Sequence, residues 1–187
     1  MLDLIIKNGS CYIDKDLKDQ DIAIKDGKII KIGKIDNEAK EVFDAKGLTV
    51  LPGCIDTQTH FREPGSTDTE DLHSGSRAAI VGGITSVFEM PNTNPPTSTK
   101  VEFQKKLDLA KNRMYCNYAF YFGATADNAN ELADLVNLEG CCGIKLFAGS
   151  STGNLLVAEE EDIEKVFQSS SKVVAVHSED EAILNIN

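Results

Sequence analysis

The chain contains no apolar run long enough to span a membrane and no basic, apolar leader at its start, so it reads as a protein without a membrane partner. Positive charge is scarce. Against 30 Asp and Glu there are 19 Lys and Arg, a net charge of −11, which argues against nucleic acid or a membrane surface as a partner. Part of the acid is clustered at Glu159-Glu160-Glu161-Asp162, where it suits the first turn of a helix and otherwise a solvated face. No CxxC pair occurs among Cys11, Cys54, Cys116, Cys141 and Cys142, and their odd number leaves no complete disulfide framework. They read as reduced, buried thiols of a cytoplasmic protein. No GxGxxG follows a strand, and no Walker A lysine follows Gly82-Gly83 or Gly149, which removes the signatures of a nucleotide-binding fold.

What is present is a change of rhythm near residue 50. Residues 1–50 read as a small β-sandwich-like domain, with short β-branched runs at Leu2 to Ile6, Asp21 to Lys25 and Lys28 to Ile32. Asp26-Gly27 lies between the last two, where a type I′ hairpin turn needs positive φ at both positions. Residues 51–187 alternate strand and helix. Strands are predicted at 51–58, 84–90, 116–122, 142–147 and 173–177. Between them, Thr99 and Glu102 form a capping-box pattern ahead of Phe103, Leu107 and Ala110. Asn128 and Glu131 suggest a similar start ahead of Leu132, Leu135 and Val136, and Ile163, Val166 and Phe167 make a third apolar stripe. All three stripes read as core. Repeated βα units require a parallel sheet, doubly wound or closed as a barrel.

Polar residues gather at the predicted C-terminal ends of the strands: Gln58, His60, Glu89, Asn92, Lys145 and His177. A (β/α)8 barrel keeps its active site at that end, and five strands would form a little over half of one. Asp56, Gln58 and His60 share one face of their strand, and imidazole is a preferred zinc ligand. His177 closes the apolar run Val173-Val174-Ala175-Val176 and is delivered to the same end. Lys145 sits inside Gly143-Ile144-Lys145-Leu146-Phe147, where a free ammonium is costly unless it is paired, neutralised or able to reach solvent. Arg62 offers a planar fork that matches a carboxylate, and Asn92 lies just past the second strand of the alternating region. His73, in a Ser/Gly-rich helix start, is given no role.

The segments DTQTHFREPG, GSRAAIVGGITSVFEMPNTNP, GIKLFAGSSTGNLLV and VVAVHSED, in this order and spacing, resemble the dihydroorotases of the cyclic amidohydrolase superfamily. The match runs through essentially the whole chain, and FREPG together with MPNTNP is its most specific part. The resemblance implies an α/β TIM barrel of the metal-dependent hydrolase type, incomplete here, beside a small N-terminal β domain. It implies a zinc site of one or two ions, with His60 on the first metal, Lys145 carboxylated as the bridging ligand, and His177 on the second. Arg62 and Asn92 would hold a substrate carboxylate. The implied reaction is the reversible closure of N-carbamoyl-L-aspartate to dihydroorotate in pyrimidine synthesis, by two-metal chemistry. Allantoinases and dihydropyrimidinases share the metal pattern, but neither resembles the Arg62 and Asn92 context.

Two departures qualify the resemblance. The family pattern is Asp-x-His-x-His, and Gln58 stands here at the first histidine, where a neutral amide is a poor zinc ligand. A dihydroorotase subgroup carries Gln at this place. The later metal histidine, the catalytic aspartate acting as general acid/base and the last strands are expected beyond Asn187; Glu179 and Asp180 do not correspond to that aspartate. The alternatives are another cyclic amidase of hydantoinase or dihydropyrimidinase type, and a non-catalytic homologue that scaffolds aspartate carbamoyltransferase. A homo-oligomer is expected.

Overall fold

The structure is a computed structural model that describes residues 1–151 and 153–186; Thr152, inside the third of the matched segments, and Asn187 lie outside it. It divides into two compact units, Met1–Pro52 and Gly53–Asn187.

In the first unit, β1 (Leu2–Ile13), β2 (Asp16–Lys25), β3 (Lys28–Gly33), β4 (Ala39–Asp44) and β5 (Thr49–Val50) form one sheet. Its order is β3-β2-β1-β4, with β5 also on β1. β1 pairs antiparallel with β2 and parallel with β4 and β5. Asp26 and Gly27 both have positive φ, 50° and 70°, so the β2–β3 turn has the sign of twist a two-residue hairpin needs. Leu2, Ile5, Ala23 and Ile35 form the core. β4 and β5 give no signal in the sequence because β4 is exposed along nearly its whole length and β5 is two residues long, so neither shows alternation.

The second unit carries β6 (Cys54–Thr59), α1 (Leu72–Val81), β7 (Ile84–Glu89), α2 (Lys100–Ala110), β8 (Asn117–Gly123), β9 (Cys141–Phe147), α3 (Glu160–Ser169), β10 (Val174–His177) and α4 (Glu181–Leu184). The five strands pair in parallel and in unbroken chain order, β6 to β10. A doubly wound sheet reverses its strand order at a switch point, whereas a barrel does not. The sheet is therefore an arc of a TIM barrel, left incomplete among the described residues.

Strand alternation sorts the two faces. Val87, Phe120, Phe122, Ile144 and Leu146 join Leu72, Phe103, Ala110, Leu132, Leu135 and Val166 in the helix-side core. Phe88, Tyr121 and Lys145 belong to the opposite parity, and the Phe88 and Tyr121 rings meet edge to face at 6.4 Å.

Several local expectations need correction. The segment after Asn128 is a 3₁₀ helix, Ala129–Asn137, not an α-helix. The reason lies in Asn128, which does not cap it: its Oδ1 accepts from Thr125 N, and its Nδ2 donates to Ser98 O and Gly123 O. The tighter 3₁₀ turn leaves Val136 exposed while Leu132 and Leu135, three apart, stay buried. Phe167 is also exposed, one residue round the helix from the buried Val166. At Thr99 only half of the capping box forms, since Glu102 turns to Lys105. A complete box is found instead at Asp71 and Ser74 of α1. Among the thiols, Cys54 is exposed and Cys142 partly so, contrary to a uniformly buried set; all five are unpaired.

β6 and β10 each leave one edge without a partner strand among the described residues, and Ile55 and Val176 are 58 % and 37 % exposed there. Open edges with apolar side chains recruit other chains. The isolated 187-residue chain is expected to self-associate in size-exclusion chromatography with light scattering. A compact monomer with a cooperative melt would contradict the open-arc description.

Candidate active site

The site begins at the mouth of β6. Phe61 is buried in the helix-side core, where a Cβ on Gly75 of α1 would collide with its ring. That packing anchors the segment in which His60 and Arg62 flank Phe61 just past the end of β6. The backbone continues the anchoring: Met90 N donates to Thr59 O at 2.9 Å, and Asn94 N to Pro64 O at 3.0 Å. The two loops that follow β6 and β7 are thus joined.

Between them lies a pocket of about 430 Å³ lined by Arg62, Ser66, Asn92, Thr93 and Asn94, with Gly153 from the loop after β9. The sequence reading named Arg62 and Asn92; it gave no role to Ser66, just past FREPG, or to Thr93 and Asn94, although these two lie inside the MPNTNP segment. His60 adjoins this group, its Nδ1 2.9 Å from Asn92 Oδ1. Burial, chiefly, holds the imidazole below its usual pKa, the Arg62 and Lys145 charges push the same way, and the Asn92 bond opposes them. The ring is therefore neutral at physiological pH, the form in which histidine ligates metal.

Lys145 is 3 % exposed. Its Nζ lies 5.0 Å from the centre of the Phe147 ring, and no carboxylate pairs with it among the described residues. Desolvation lowers its pKa, which favours the neutral amine. His177 is half-buried, with Nε2 2.7 Å from Glu179 Oε2. In the β9–β10 register it pairs with Phe147, two residues beyond Lys145, and its ring lies 6.0 Å from that of Phe147. Gln58 is exposed on β6, its backbone N–H donating to Asp56 Oδ1.

Among the described residues, no three of His, Cys, Asp and Glu cluster closely enough to hold a metal. The residues fit a metal in kind, as part of a ligand set: a neutral imidazole with Nε2 uncommitted, and a desolvated lysine amine without an acid partner.

Glu89 does not open into the pocket. Phe88 takes that parity, and Glu89 pairs with Lys106 of α2 instead, both fully buried. Lys106 Nζ also donates to Met90 O at 3.0 Å. Burial pushes the Glu89 carboxyl up to about 8 and pushes Lys106 down, and in each case the partner's charge opposes the shift. Helical spacing foretells this lysine, since Lys106 falls on the Phe103–Ala110 stripe.

Residues 49–179 match the amidohydrolase family. A dihydroorotase from Methanosarcina mazei is 39% identical over 186 residues, covering 97% of this chain and 40% of its own. An allantoinase from Escherichia coli is 41% identical over 149 residues, 79% of this chain and 33% of its own. The L-hydantoinase of Arthrobacter aurescens superposes with a TM-score of 0.91 at 31% identity, covering this whole chain and 43% of that one. The chain thus spans about two fifths of the length of the dihydroorotase it matches. Similar overall identity to a dihydroorotase and an allantoinase leaves the substrate to be argued from individual residues. A family match across most of the chain, together with a barrel that superposes throughout, makes this chain a member of the amidohydrolase family.

Proposed function

We propose that this chain carries the substrate-anchoring part, and some of the metal ligands, of a dihydroorotase that interconverts N-carbamoyl-L-aspartate and dihydroorotate. The observation that carries the reading is the pocket holding Arg62 and Asn92 together, next to His60. A guanidinium and an amide N–H₂ suit a substrate carboxylate, an anion that the rings of hydantoin and allantoin lack. Arg62 would grip that carboxylate, and Asn92 Nδ2 would donate a second bond, fixing the ring over His60. His60, Lys145 and His177 would hold the metal, with Lys145 first converted to a carbamate by CO₂ at its neutral amine. Zinc, when bound, would polarise the ring amide carbonyl as a Lewis acid.

The whole protein is expected to contain zinc and to turn over dihydroorotate, and His177→Ala is expected to lose zinc by elemental analysis. Unchanged zinc in that variant would remove His177 from the ligand set. Gln58 supports a second reading, the scaffold homologue, because a neutral amide replaces a ligand there. A zinc-supplemented whole protein without dihydroorotase activity would favour the scaffold.

A further inference from the structure

We propose that Asn92 is a positioning residue for His60: it accepts a hydrogen bond from Nδ1–H, fixes that tautomer, and leaves the Nε2 lone pair for the metal. This deepens the proposed function and rests on it only for the identity of the metal. The family resemblance implies one task for Asn92, holding the substrate carboxylate. Its two amide atoms can then serve separate tasks: Oδ1 lies 2.9 Å from His60 Nδ1, and Asn92 lines the pocket, where Nδ2 would be the donor to substrate.

Free imidazole favours the other tautomer, with the proton on Nε2, and that form presents no lone pair at Nε2. A ligating histidine therefore needs an acceptor at its second nitrogen, and such partners typically matter 10- to 100-fold in metal affinity. Here the acceptor comes from a neighbouring strand's loop, and its place is fixed by backbone bonds on both sides. Met90 N binds Thr59 O, one residue before His60. Pro91 O accepts from both Thr93 N and Thr97 N, at 2.9 Å each, which closes the loop around Asn92. Lys106 Nζ holds Met90 O from behind. His60 and Asn92 are thus held facing each other whether or not an ion is bound. No other hydrogen bond engages the His60 ring among the described residues.

The test is long-range ¹H–¹⁵N correlation NMR of the histidines in the metal-free whole protein, at a pH where the ring is neutral, with zinc affinity measured on the same samples. The His60 signal is assigned by its loss in His60→Gln. Wild type is expected to show protonated Nδ1 and bare Nε2. Asn92→Asp keeps an acceptor, so it should keep that tautomer and zinc affinity while losing dihydroorotate binding by charge repulsion. Asn92→Leu should shift His60 toward the Nε2–H form and weaken zinc by about 10- to 100-fold. A wild-type ring protonated on Nε2 would overturn the proposal even if the leucine variant failed to fold. So would an unchanged tautomer and zinc affinity in a folded Asn92→Leu. A wild type with the expected tautomer and no zinc would leave the Asn92 assignment standing and remove the metal reading.

Discussion

Replacing Lys106 with methionine is expected to cost the protein about 3–5 kcal/mol, because it strands a buried carboxylate. Lys106 and Glu89 are both fully buried, and neither oxygen of Glu89 has another hydrogen-bond partner among the described residues. Lys106 is thus the one ion-pair partner of Glu89 among the described residues, although the Arg62 charge acts in the same direction. The loss should depend on pH, and its sign follows from the direction of the Glu89 shift. Burial already raises the Glu89 pKa to about 8 with the lysine present, and removing the lysine's opposing charge raises it further. A carboxyl with a raised folded-state pKa stabilises fully below its unfolded value, and that stability is lost as pH rises through the folded value. The Lys106→Met deficit should therefore be small in mild acid, where Glu89 is protonated, and largest above neutrality. Urea unfolding followed by circular dichroism at both ends of that range measures it. The double variant Glu89→Met with Lys106→Met should recover most of the loss, as apolar replacement of a whole buried pair often does. An equal deficit at every pH would show that Lys106 acts through packing alone.

Arg62→Met is expected to lower kcat/KM for dihydroorotate by about 10- to 150-fold, the kinetic equivalent of losing a charge-assisted hydrogen bond worth roughly 1.5–3 kcal/mol. Because the carboxylate is bound in ground and transition states alike, most of the effect should fall on KM. Stability should change little, since Arg62 is exposed. Unchanged kinetics would make the arginine a surface charge and would favour the hydantoinase reading.

The barrel was legible because its signals are local and repeated. β8, β9 and β10 are mostly apolar runs, β6 and β7 mix apolar with polar residues, and each link between them holds a helical stripe or a turn. Periodicity could not choose between a doubly wound sheet and a barrel arc, because that choice lies in the order of strand pairing. The site was legible where the chain delivers a polar residue to a strand end, as at His60 and Lys145. It was not legible where function depends on which neighbour a side chain meets. Glu89 looked like a site residue by position, yet the interior parity belongs to Phe88, and a lysine on the next element, α2, decides where the carboxylate goes. Asn92 was recognised by its motif, but its bond to His60 spans 32 residues and requires the folded β6–β7 pair. The 3₁₀ segment failed as an α-helix because Asn128, the apparent cap, bonds instead to the backbone at Thr125, Ser98 and Gly123.

The central claim is that the pocket beside His60 selects a ring bearing a carboxylate. The most direct measurement is the ratio of kcat/KM for dihydroorotate over 5,6-dihydrouracil, the same ring without that group, in the whole protein and in its Arg62→Met variant. The account predicts a wild-type ratio well above one that falls by about 10- to 150-fold in the variant, because only the acidic ring loses its partner. Equal turnover of both rings by wild type, or a ratio unmoved by Arg62→Met, would contradict it.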